Sequence, residues 1–499
     1  MKTEIASVLS AVEAEETRLR AALHRIQNER VPAVALPYEV LAAIFNKACE
    51  RPPNVTAVYG ANIPDTRKWR NAINATCYRW RQAALATSSL WSDILLTAYP
   101  RPAVPNRLLI PIELERSNGR TLTTRAVIAY DEEEYEFFSH TITTLCPLSS
   151  TLDLLVLAWI TPFRLLEGRI PLHNLRHLQL HLIRRPDVTD DPERIDLSQA
   201  NSLHFVSLYI ELDFIRGGLK PLHLRPPETP TISDLDISGD VDPCDVVRFI
   251  AHCSPHLHTL RWRCTRYASE FPHEVLDTVP SDSVYFPQLE HLYLAGQFPV
   301  KLMQRISAPK LVLLVANVAD PAVGVRDERN ILLMDPYQFP ALRHLRYLRS
   351  TGPIGVPVTT FLTAHAALEE VGPLTLWEIR TVLNPDSQSG EVPLPNLRHL
   401  WLATPCFKQQ TEVDTYTKVL GKILEFLISQ CTSSKRPPFV VHIVQGSWGE
   451  GINFFNALYA FTPYVQQSDL YGDKEPPSIW VDEWDSGFTT QDVLDLSDF

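Results

Sequence analysis

From residue 152 onward one pattern recurs down the chain, LxxLxL, with other apolar residues standing in for leucine. Ten segments fit it, opening at Leu152, Leu175, Leu203, Ile232, Leu257, Leu289, Leu311, Leu342, Leu368 and Leu397. The closest openings, Leu289 and Leu311, are 22 residues apart, and the widest, Leu257 and Leu289, are 32 apart. FPQLEHLYL (286–294), FPALRHLRYL (339–348) and LPNLRHLWL (394–402) are the cleanest copies; the Leu368 copy, which ends in Gly372-Pro373, is the weakest. Self-similarity at this period marks a stack of short supersecondary units. Each unit offers a three-residue apolar edge worth roughly 1.5–3 kcal/mol per residue when fully buried, and no unit can bury that edge alone, so the units must stack. In five copies a proline stands two residues before the opening position: Pro255, Pro287, Pro309, Pro340 and Pro395. Its fixed φ is expected to end a preceding helix and release the chain into a strand. The chain has 40 prolines against 18 glycines, a reversal of ordinary usage.

Side chains alternate along a strand, so the second and third leucine positions point inward and the residues between them form an outward ladder. That ladder comprises His177, Gln179, Phe205, Ser207, Tyr209, Asp234, Asp236, Thr259, Arg261, Arg263, His291, Tyr293, His344, Arg346, His399 and Trp401. His177, Tyr209, Asp234, Asp236, Arg261, Arg263, Tyr293, His344, Arg346 and Trp401 are the candidate contacts for a target protein, because exposed aromatics and arginines dominate protein-binding hot spots. The plainer reading of each is a solvated strand face. Leu313 and Val315 fall on the same ladder, which implies a distorted repeat or a covering segment.

Residues 1–30 lack Pro and Gly and read as a helix. Ile5, Val8, Val12, Leu19, Ala22 and Ile26 follow three- and four-residue steps that only Glu15 interrupts. Self-association through this seam is the lesser of two readings, the other being a helix that leans on the next domain. The segment VALPYEVLAAIF (34–45) follows, with Val40, Leu41, Ile44 and Phe45 on one helical face and Pro37 suited to the first helical turn. After a Pro-containing loop, WRNAINATCYRWRQAALATSSLWSDILL (69–96) reads as one or two short helices.

At 499 residues and 45 % apolar, the chain can bury a large core. Its net charge of -12 argues against a general nucleic-acid binder, which would need clustered Lys and Arg. The eight cysteines are too dilute for a disulfide framework and read as reduced thiols in a cytoplasmic or nuclear protein. The start of the chain lacks a secretory apolar stretch, and no run is long enough to span a membrane.

The composite LP-E-VLAAIF, then CYRWRQAAL (77–85), then SSLW (88–91) resembles the F-box, most of all the version abundant in mushroom-forming fungi, where leucine-rich-like repeats follow. The resemblance implies an α/β chain. Residues 1–30 would form a helix, possible as a short coiled coil, and 31–97 a small helical F-box. A connector (98–150) would lead to an irregular leucine-rich-repeat-like solenoid (151–405) with a parallel sheet on its concave face, and 406–499 would be a capping region with an acidic tail. The asparagine usual in such repeats is missing from nearly every copy.

The resemblance further implies a substrate receptor, not an enzyme, that docks a Skp-type adaptor, and through it a cullin, while the repeats bind a target protein. By matching positions, Leu36, Pro37, Val40, Leu41, Ile44, Phe45, Cys77, Arg79, Trp80, Leu90 and Trp91 would touch or support the adaptor. The stretch between Phe45 and Cys77 is longer than in a compact F-box. An adaptor-independent repeat scaffold is the alternative. No cofactor, metal, nucleic acid or membrane partner is expected.

Three chemical motifs are set aside. His252, Cys253, His256, His258 and Cys264 crowd together, but their spacing matches no common zinc site. GSWGEG (446–451) lacks the Lys-Ser or Lys-Thr of a phosphate loop, and Asp131–Glu134 has no partner group that would make it an acid-base pair.

Overall fold

The computed structural model describes residues 2–29, 31–32, 36–49, 66–97, 104–129, 140–157, 171–184, 194–212, 223–239, 241–264, 284–297, 305–319, 336–347, 361–362, 364–374, 376–383, 394–403, 410–433, 439–444 and 465–468. Over these residues the protein is mixed α/β, with a large parallel sheet and several helices. No helix among the described residues is long and apolar enough to cross a membrane. The chain divides into two compact units, Met1–Leu165 with Arg169–Leu182, and Leu166–Gly168 with Ile183–Phe499.

The first unit opens with α1 (Lys2–Glu29). Helix α2 (Tyr38–Cys49) starts directly after Pro37, whose carbonyl accepts the Leu41 N–H at 3.0 Å; Glu39 in its first turn and Lys47 in its last suit the helix dipole. Helices α3 (Thr66–Thr76) and α4 (Tyr78–Ala86) follow, the second capped by the Cys77 sulfur, which accepts the Trp80 N–H. A 3₁₀ turn at Ser88–Trp91 leads into β1 (Asp93–Thr97). After α5 (Val104–Ser117) come β2 (Leu122–Ala129), β3 (Ser149–Leu157) and β4 (His177–Arg184), whose last two residues belong to the second unit. These four strands are parallel and lie in chain order. The end of the 69–96 segment is therefore strand and not helix. Ile94, Leu95 and Leu96 are all buried, and a parallel strand covered on both faces loses the alternation that would have marked it.

The second unit contains β5 (Arg194–Asp196), β6 (Phe205–Leu212), β7 (His223–Arg225) and β8 (Asp234–Gly239), then α6 (Pro243–Cys253) and β9 (Thr259–Cys264). It continues with β10 (Val284–Tyr285), β11 (His291–Gln297), β12 (Ile306–Ser307), β13 (Leu313–Ala319), β14 (His344–Tyr347) and β15 (Glu370–Leu374). Helix α7 (Leu376–Leu383), β16 (His399–Ala403), α8 (Gln410–Thr432), β17 (Val440–Val444) and β18 (Val465–Ser468) complete it. The short pairs β5–β7 and β10–β12 stand apart. The remaining strands line up in chain order, β6-β8-β9-β11-β13-β14-β15-β16-β17-β18, each parallel to the next.

The recurrent leucines explain this order. Leu175, Leu203, Ile232, Leu257, Leu289, Leu311, Leu342, Leu368 and Leu397 are each fully buried just before a strand. Several of them close a tight turn, with the Leu311, Leu342 and Leu397 amides donating to the carbonyls of Ala308, Phe339 and Leu394. Pro309, Pro340 and Pro395 thus sit at the second position of a β-turn, where their fixed φ is favoured. The expectation that such prolines follow a helix holds at Pro255, just past the end of α6 at Cys253, whereas Pro309 follows the strand β12 and sets the turn that aims the chain into the sheet.

Two further readings change. The opening at Leu152 is out of phase by three residues, because Leu152 pairs with Leu178 and Leu154 with Leu180, so both belong to the inward leucine pair of β3. Strand β13 is not distorted, since it pairs residue for residue with β11 and β14, and Val315 is buried on the ladder face.

Candidate functional site

In the first unit the helix face drawn from the sequence divides in two. Leu41 and Phe45, at 0 % and 1 % exposure, point into a core with Ile73, Ala83, Ala84, Leu90 and Trp91, with Leu36 and Trp80 packed against it. Val40 and Ile44, at 41 % and 43 %, face solvent one helical turn apart, beside exposed Pro37 and Tyr38. The inner positions are buried in the core and the outer ones are exposed. Arg79 ties the start of α2 to α4: its guanidinium donates to the Leu36 carbonyl at 2.9 Å and lies 5.5 Å from the centre of the Tyr38 ring. The Trp80 ring meets Phe45 edge-on at 5.2 Å, and the Trp91 indole N–H donates to the Ala84 carbonyl at 2.9 Å. Cys77, Leu90 and Trp91 are buried within this helical unit.

Two residues that sequence reasoning missed complete this unit. Arg70 and Glu113 form an ion pair at 2.8 Å with 3 % and 4 % of their side chains exposed. Arg70 also donates to the Leu90 carbonyl at 3.2 Å and lies over the Trp91 ring, as Arg116 does. They are 43 residues apart, and no local pattern joins them. A second missed group is His181, next along β4 from His177 and Gln179. Burial pushes its imidazole down to about 4, so it is neutral at pH 7.

In the second unit the register sets the ladder residues abreast. Asp234, Thr259, His291, Leu313, His344, Glu370 and His399 form one row. Asp236, Arg261, Tyr293, Val315 and Arg346 form the next. The Arg261 guanidinium lies 4.9 Å from the Tyr293 ring centre. Burial pushes the Asp236 carboxyl up to about 6, against the pull of Arg261. Arg263 stands beside Ser238, which in turn pairs with Tyr209. The side chain of Arg346 is outside what is described, and His177 and Gln179 lie on the equivalent face of the first unit.

Farther along the same ladder is a connected cluster centred on Glu370. Its carboxylate receives the Trp401 indole N–H at 2.7 Å and meets His344 Nδ1 at 3.0 Å. The Trp401 ring stacks on His442 at 4.1 Å, and His442 Nε2 lies 3.0 Å from His399 Nδ1. Sequence reasoning named His344, His399 and Trp401 but missed Glu370 and His442. Glu370 precedes a bulge in which Gly372 takes φ +122°, and this bulge breaks the template that reveals the other strands.

Among the described residues no group of three or more His, Cys, Asp or Glu is placed to hold a metal ion. In the set-aside histidine and cysteine cluster, His252 Nε2 is bonded to the Pro227 carbonyl at 2.8 Å. Burial pushes the Cys253 thiol up to about 12, which keeps it protonated. GSWGEG, Asp131–Glu134, the loop at 51–65 and the acidic tail lie outside the described residues. The site geometry is therefore that of surfaces: an exposed apolar strip on a helix, and a ladder of aromatic and charged groups across parallel strands.

No family model matches the chain. A search of curated proteins likewise finds no significant match.

Proposed function

We propose that the protein is an F-box substrate receptor of a cullin-RING ubiquitin ligase, with a leucine-rich-repeat-like solenoid as its target-binding half. The observation that carries this reading is the division of α2. Leu41 and Phe45 are spent on the core, while Pro37, Tyr38, Val40 and Ile44 remain exposed beside Arg79. A helix that served only to close the end of a stack would bury its large apolar residues; an exposed strip of this kind is what a docking helix keeps for a partner. The ladder supports the second half of the reading. Parallel strands in chain order, most of them opened by a buried leucine or isoleucine, suit a stack of repeats whose outward residues are free to vary. Arg261, Tyr293 and Trp401 supply the residue types that anchor protein interfaces.

The test is binding of a recombinant Skp-type adaptor to the intact chain and to Val40→Asp/Ile44→Asp. Both substituted positions are exposed, so the variant is expected to fold as the parent does. The expected result is binding by the intact chain, weakened at least about tenfold in the variant, which corresponds to about 1.4 kcal/mol. An intact, folded chain that fails to bind any such adaptor would overturn the reading and leave a repeat scaffold.

A further inference from the structure

None of the described side chains of helix α1 is buried against the rest of the chain. Ile5, Val8, Leu9, Val12, Leu19, Leu23 and Ile26 are each between 55 % and 63 % exposed. Every described side chain of this 28-residue helix is exposed. A lone helix gains most of its stability from packing its apolar face, so an uncovered seam of this length calls for an occupant.

We propose that a second copy of this chain covers it, the two α1 helices pairing antiparallel. Charge decides both the occupant and the direction. Residues 2–16 carry Lys2 against Glu4, Glu13, Glu15 and Glu16, a net -3; residues 17–29 carry Arg18, Arg20 and Arg25 against Glu29, a net +2. The helix is thus complementary to itself only when reversed. A parallel pair would set acidic half on acidic half and Glu15 against its own counterpart in the seam. The heptad spacing allows the reversed pair: Val8 falls opposite Ile26 of the second copy, Val12 opposite Ala22, and Glu15 opposite Leu19. Leu9 and Leu23, both flanking the seam on the same side, then meet each other and widen it. The intrahelical pairs Glu15–Arg18 and Glu16–Arg20, both at 2.6 Å, hold charges close to the edge of the seam. This pairing is independent of adaptor docking.

The experiment is light scattering on the full chain, beside Val12→Glu/Leu19→Glu and Val8→Cys/Ile26→Cys. The parent is expected at twice its 56.6 kDa mass, and the charged variant at half the parent value, with its near-ultraviolet circular dichroism kept. Mild oxidation of the cysteine variant is expected to join position 8 of one chain to position 26 of another, mapped by mass spectrometry of the linked peptides. A monomeric parent, or a charged variant that stays dimeric, would overturn the proposal. A link from position 8 to position 8 would overturn the antiparallel pairing.

Discussion

Arg70 and Glu113 face each other at 2.8 Å in the interior of the first unit, each almost wholly removed from water. Removing one partner of a buried pair strands the other, so Glu113→Ala is expected to cost about 3–5 kcal/mol. The double change Arg70→Met/Glu113→Leu is expected to recover most of that loss, because no charge is left behind. Urea unfolding of the three chains, read by tryptophan fluorescence, measures both values.

The two faces of α2 are expected to separate stability from binding. Leu41→Ala empties a fully buried site and is expected to cost about 2–5 kcal/mol. Ile44→Asp changes an exposed position and is expected to stay within about 0.5 kcal/mol of the parent while weakening adaptor binding. Thermal unfolding beside a binding titration distinguishes the two effects.

Gly372 has φ +122°, and a side chain there would run into the main-chain carbonyl of Trp401 on the next strand. Gly372→Ala is therefore expected to destabilise by at least about 1–3 kcal/mol through backbone strain alone. It is also expected to disturb the contact between Trp401 and Glu370, which a change in the Trp401 fluorescence would report.

Asp236 predicts a pH dependence. Its folded carboxyl titrates near 6, above its ordinary value of 3.8, because burial disfavours the anion. The native state therefore holds its proton more tightly than the unfolded chain. The resulting stability is complete below about pH 4 and is lost as pH rises through about 6. Asp236→Asn carries no such proton, so its stability relative to the parent is expected to rise between pH 4 and 7. The gain is on the order of 2 kcal/mol once the solvent still reaching the site is allowed for. Urea midpoints at pH 4, 5.5 and 7 give the answer, and a flat difference would count against it.

Most strands of the second unit's sheet were legible because a recurrent leucine or isoleucine marks both the turn before the strand and its inward face; β17 and β18 follow no copy of the template. Where a strand departs from the template the reading slips. Leu152 was placed three residues out of phase because Leu155 and Leu157 mimic the inward pair that Leu152 and Leu154 form. Strand β1 escaped notice because its run of buried residues does not alternate. On α2 the apolar stripe was visible, but an apolar residue on a helix does not announce whether its own chain or another will cover it; Leu41 and Ile44 look alike until the neighbours are in place. Arg70, Glu113, Glu370 and His442 could not be found at all, since their partners lie 26 to 43 residues away and no local periodicity connects them.

Chain order along the second unit's sheet makes it a ruler. From Asp236 on β8 to Trp401 on β16 the chain passes through β9, β11, β13, β14 and β15, and each step between neighbouring strands advances about 4.8 Å. The path across the sheet between the two positions is thus roughly 29 Å, set by a number of strands. Loss or gain of one whole unit between them would change that span by a single increment and leave the local chemistry at either end as it was.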